Sequence, residues 1–110
     1  MMKQLPKQIK LGAYTFDIKV LPENISSEVC EEEGSFHARI RTIYIAEDIV
    51  RRGGEDLLQL LLHELFHAIY WVNNLKSSSS EEDVVNAMSN GITELLSRTT
   101  LTKLINQLLR

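Results

Sequence analysis

The sequence predicts an α+β domain: a small N-terminal, mainly antiparallel sheet of three or four strands, packed on two long helices and followed by a short C-terminal helix. Three observations carry that reading. Apolar and polar side chains alternate with a period of two from Ile9 to Val20 and again from Phe36 to Ile45. Beyond Leu57 the leucines and aromatics recur at helical spacing. Gly, Asn and Ser clusters separate the periodic stretches.

Ile9 and Leu11, then Tyr14, Phe16, Ile18 and Val20, flank Gly12-Ala13, which reads as a hairpin with a tight turn. From Ile25 to Glu33 the pattern fits either a short capped helix or a loop, and Glu31-Glu32-Glu33 reads as a solvated face. Gly34 opens a second extended region. Its apolar positions are Phe36, Ala38, Ile40, Ile43 and Ile45, with a turn or bulge at Arg39-Ile40-Arg41. Thr42 to Ala46 is expected to lie nearest the long helix and to be the edge on which an extended peptide pairs. The connector Glu47 to Gly54 has room for one helical turn before Gly53-Gly54 breaks it.

Glu55 and Asp56 place negative charge at the positive end of a helix that runs through Leu57 to Val72. Asn73-Asn74 ends it, and Lys76 to Ser80 reads as an exposed, mobile polar linker. Ser80-Glu81-Glu82-Asp83 is a capping sequence for a second helix, whose apolar stripe is Val84, Val85, Met88, Ile92, Leu95 and Leu96. Thr99-Thr100 interrupts it. A last amphipathic helix carries Leu101, Leu104, Ile105, Leu108 and Leu109.

The chemistry is concentrated in one pentapeptide. His63, Glu64, Leu65, Phe66 and His67 spell H-E-x-x-H within the long helix. Residues four apart share a helix face, so the two imidazoles can converge on one metal ion. Glu64 beside them is placed to take a proton from a metal-bound water without being a ligand. Leu60, Leu61, Leu62, Leu65, Phe66 and Ile69 make the helix core-facing nearly all round, so buried imidazoles there need a partner, and zinc would satisfy them. The bland alternative is a pair of core histidines bonded to backbone carbonyls.

Composition narrows the remaining classes. The 110 residues are expected to form one domain, 1–110, with the 44% apolar and 25% charged content of a soluble globular chain. A net charge of -3 and scattered Lys and Arg argue against nucleic acid as the main partner. Cys30 is the only cysteine, which leaves neither an intramolecular disulfide nor a thiolate zinc cluster. The N-terminus has no apolar run of signal-peptide length and no stretch reaches a membrane span, so the expected compartment is the cytoplasm and no membrane partner is expected.

A catalytic zinc site needs three protein ligands and a water. A metzincin is excluded, because Tyr70 and Asn73 stand where its glycine and third histidine would be, and no histidine follows His67. A carboxylate from the second half is therefore required, and Glu81, Glu82 and Asp83 open the next helix. Glu81 aligns with the buried stripe of Val85, Met88 and Ile92.

The stretch Glu82-Asp83-Val84-Val85-Asn86-Ala87-Met88-Ser89 resembles the E-x-x-A-N-x-F-A segment of ImmA/IrrE-type metallopeptidases, with Val85 for the alanine and Met88 for the phenylalanine. The chain also looks like the small phage- and prophage-encoded zinc peptidases of that group. Their I-x-I strand, L-L-H-E-L-x-H-A-I helix and E-E-x-V-V-N-x-x-x-N-G-I helix correspond to Ile43–Ile45, Leu61–Ile69 and Glu81–Ile92. The resemblance, which spans Ile43 to Leu96, implies a minimal zincin-like fold of the gluzincin class. It implies His63, His67 and Glu82 as zinc ligands, Glu64 as catalytic base and a protein or peptide substrate, with a repressor-like regulatory protein as the family's target. Glu81 and Asp83 stay open as alternatives for the third ligand, and Tyr70 and His37 are the candidate groups for stabilising the oxyanion. Two rival readings keep less chemistry: a zinc-stapled, non-catalytic regulatory or interaction module, and a metal-free helical adaptor.

Overall fold

The computed structural model describes residues 5–22 and 33–109. The readings made for Ile25 to Glu32, including Cys30, lie outside the described residues. β1 (Gln8–Leu11) and β2 (Tyr14–Leu21) form the expected antiparallel hairpin around Gly12-Ala13. β3 (Gly34–His37) follows, then a single 3-10 turn at Ala38–Ile40 and β4 (Thr42–Ala46). Four helices complete the chain: α1 (Glu47–Arg52), α2 (Gly54–Val72), α3 (Glu81–Arg98) and α4 (Leu101–Leu108).

The sheet order is β1-β2-β4-β3, with β2 and β4 parallel and the two outer pairings antiparallel. This corrects one expectation. Thr42–Ala46 is not an edge: it is inserted between β2 and β3, with Ile43 opposite both Ile18 and Phe36. Four of its five residues are buried, as in a strand covered on both flanks. The edge on that side of the sheet is β3.

One sheet face holds Ile9, Leu11, Phe16, Ile18, Ile43 and Ile45, all buried against the helices. Leu57, Leu61, Leu65, Ala68 and Ile69 form the opposing stripe of α2. Each such Leu or Ile contributes about 1.5–3 kcal/mol on burial. Gly53 and Gly54, both at positive φ, make the sharp turn from α1 into α2 that lays the stripe on the sheet. α1 is six residues long, slightly more than the single turn expected.

α3 begins as its sequence predicts. The Ser80 hydroxyl accepts a hydrogen bond from the Asp83 N–H at 3.1 Å, which satisfies one of the free donors of the first turn. The preceding linker is a bonded turn, with Ser79 N–H donating to the Lys76 carbonyl at 2.9 Å and Lys76 N–H to the Ser79 hydroxyl at 2.8 Å. α3 then packs on α2 through Gly91. A Cβ there would stand 2.7 Å from Ile69 Cδ1 and Cγ1, so only glycine allows this approach. α4 buries Leu101, Leu104 and Leu108, whereas Leu109 is exposed. No helix among the described residues is long and apolar enough to cross a membrane.

Candidate metal centre

α2 buries its leucines toward the sheet and α3, and that orientation decides where the H-E-x-x-H side chains go. His63 and His67 are exposed on the outer face, while Glu64, a further 100° round the helix, is buried at 5% exposure. The expectation that the helix is core-facing nearly all round is therefore corrected. Phe66, Tyr70 and Trp71 are also exposed, and the buried polar group of the motif is the carboxylate, not the imidazoles. Core histidines, as the bland alternative required, are absent.

The two rings stand edge to face with centroids 4.8 Å apart, and their Nε2 atoms lie 3.2 Å from each other. Two nitrogens each about 2.0–2.1 Å from a tetrahedral zinc would be separated by about 3.3 Å. The pair therefore has the span of two adjacent zinc ligands.

His63, Glu64 and His67 line one wall of a cavity of about 700 Å3, within the size range of ligand sites. The other wall is β3. Gly34 lies against Leu60 of α2 so closely that a Cβ would come within 3.2 Å of Leu60 Cδ2. At one end of the cavity Arg52 makes close ionic contact with Glu33 and stands 3.6 Å from Asp56, one cation between two exposed carboxylates. Sequence reasoning did not single out this cluster. The acid Asp56, seven residues before His63 and thus on the same helix face, was its available signal.

Of the two oxyanion candidates, His37 lines the cavity and Tyr70 is not part of its lining. The His37 ring is fixed by a 2.9 Å hydrogen bond between its Nε2 and the Ser35 hydroxyl and by an edge-to-face contact with Tyr44 at 5.1 Å.

Glu82 is not brought to the histidines. It lies exposed in the first turn of α3 with Glu81 and Asp83. Asp83, Asn86 and Asn90 border the same hollow as Asn73 and Asn74, so the start of α3 stands beside the end of α2. With Gly91 seated on Ile69, Glu82 is nine residues, or about 13 Å, along α3 from the crossing, in the direction away from His67. Among the described residues no third His, Cys, Asp or Glu joins the pair in a group that could hold a metal ion.

Comparison with protein-family models, with characterised proteins and with solved structures finds no match for this chain. The resemblance to ImmA/IrrE-type metallopeptidases rests on the motif residues alone.

Proposed function

We propose that the protein is a minimal zinc-dependent peptidase of the cytoplasm, with His63 and His67 as zinc ligands and Glu64 as catalytic base. The observation that carries this reading is the 3.2 Å approach of the two Nε2 atoms in the wall of a cavity that Glu64 also lines. A zinc ion bound there would act as a Lewis acid and hold a water acidic enough to ionise near neutral pH. Glu64, screened from solvent, would take a proton from a water in the cavity as the water oxygen bonds to the peptide carbonyl carbon, and would return it to the amine nitrogen as the C–N bond breaks. Of the two candidate oxyanion groups, His37 is the one on the cavity wall.

Glu82 is the proposed third ligand on the strength of the resemblance. The packing of Gly91 on Ile69 does not favour it, so zinc binding through Glu82 requires the start of α3 to shift toward the histidines.

The substrate is proposed to be an extended peptide that adds to the sheet at β3. The Ala46 N–H donates to the Glu33 carbonyl at 2.8 Å, which makes Glu33 and Ala46 a bonded pair. By alternation along the antiparallel ladder, Ser35 and His37 turn their backbone groups toward β4, while Gly34 and Phe36 turn theirs outward. Those outward groups, on the cavity side of the edge, are the ones a substrate would pair with.

Glu64→Gln tests the reading. The variant is expected to keep zinc and lose at least about 100-fold in turnover, the usual worth of a general base. Unchanged biological function in that variant would favour the zinc-stapled interaction module instead.

A further inference from the structure

We propose that two copies of this chain share one zinc ion, each giving His63 and His67, and that this dimer is the closed state of the site when zinc is scarce. The inference rests on the zinc ligation proposed above and goes beyond it, to the partner and regulation of the same site. A tetrahedral zinc takes four donors; a structural site fills all four with protein groups, whereas a catalytic one keeps a position for water. His63 and His67 have the span of two adjacent ligands, and among the described residues no third His, Cys, Asp or Glu joins them. A second copy, related by a two-fold axis through the ion, supplies the same two imidazoles to the two remaining positions.

The surface around the histidines suits a second α2. Gln59, His63, Phe66 and Tyr70 follow one another at steps of four, three and four residues, the spacing of a helix–helix seam, and all four are exposed, as is His67 beside them. Phe66 and Tyr70 thus set two aromatic side chains next to the metal donors on the outer face of α2. Charge fixes the direction of pairing. A parallel pair would set Glu55 and Asp56 of one copy against the same acids of the other. An antiparallel pair brings His63 of each copy opposite His67 of the other and carries Glu55 to the end of the other α2, where Lys76 is exposed. The Leu75 N–H, bonded to the Tyr70 carbonyl at 3.0 Å, folds the chain back there and keeps Lys76 at the helix end. With four imidazoles on the ion no position is left for water, so the shared site is closed to hydrolysis. Excess zinc reopens it by giving each chain its own ion.

The test is the mass of the full chain in solution, by sedimentation, beside its zinc content, as zinc is added from none through half an equivalent to excess. The zinc-free chain is expected to be a monomer, to become a dimer with one zinc per two chains at half an equivalent, and to return to a monomer with one zinc per chain in excess. Phe66→Glu should bind zinc and lose the dimer. Lys76→Glu should raise the dissociation constant of the dimer about fivefold, the worth of an exposed ion pair, and adding Glu55→Lys should restore it. A wild type that binds zinc and stays monomeric at half an equivalent overturns the shared site and leaves the peptidase reading standing. So does a dimer that forms equally well without zinc, or one that Phe66→Glu leaves intact. A wild type that takes up no zinc overturns both.

Discussion

The Nε2 atoms of His63 and His67 face each other across 3.2 Å on the exposed side of α2, while Glu64 between them in sequence is buried at 5% exposure. A step of about 100° on one helix separates the outward imidazole of His63 from the inward carboxylate of Glu64. The arrangement follows from the 100° step of the helix and from the leucines that fix which side faces the sheet.

The third donor is open to a direct comparison. Glu82→Ala is expected to weaken zinc binding by at least about tenfold, no less than the loss of a group that only supports a ligand, while Glu81→Ala and Asp83→Asn leave it unchanged. Competition with a fluorescent chelator measures the difference. Equal affinity in all three variants would remove Glu82 from the site.

Substrate pairing with β3 has an alternating signature. In a cleaved peptide, N-methylation is expected to raise KM at every second residue, those opposite the outward-facing groups of Gly34 and Phe36, and to be tolerated between them. Uniform tolerance along the peptide would rule out strand addition at this edge.

Gly91→Ala is expected to destabilise the fold by about 1–3 kcal/mol, the usual cost of overpacking, because the added Cβ falls 2.7 Å from the Ile69 side chain. Chemical denaturation measures it. Adding Ile69→Val should recover part of the loss, since the two residues touch and their effects couple. A Gly91→Ala protein as stable as the wild type would mean that α3 does not sit at this depth.

Removing the α3 cap has a smaller expected effect. Ser80→Ala should cost about 1 kcal/mol, because the Asp83 N–H loses its acceptor. Ser80→Asp should restore it, again by denaturation. A neutral Ser80→Ala would show that the cap adds nothing to the start of α3.

Local features were legible in the sequence. The Gly12-Ala13 turn, the Ser80 cap, the break at Thr99-Thr100 and the convergence of His63 with His67 each depend on spacing within a few residues. The long-range ones were not. Ile43 and Ile45 read equally well as edge or interior residues, and only the parallel pairing with Ile18 and Val20 places their strand inside the sheet. The density of leucines in α2 suggested burial on every side, yet exposed Phe66, Tyr70 and Trp71 are apolar without being core. The depth at which α3 meets α2 depends on the missing Cβ of Gly91, and that contact sets the distance from Glu82 to the histidines. Nothing in the spacing between His67 and Glu82 encodes it.

The central claim is that His63 and His67 hold zinc. Elemental mass spectrometry on protein purified without an affinity tag, wild type beside His67→Ala, measures this directly. The expected result is about one zinc per chain in the wild type, and none in the variant at unchanged thermal stability of the apo forms. A wild type that carries no zinc, and takes up none when zinc is supplied, would contradict the account and leave two exposed histidines without a metal to hold.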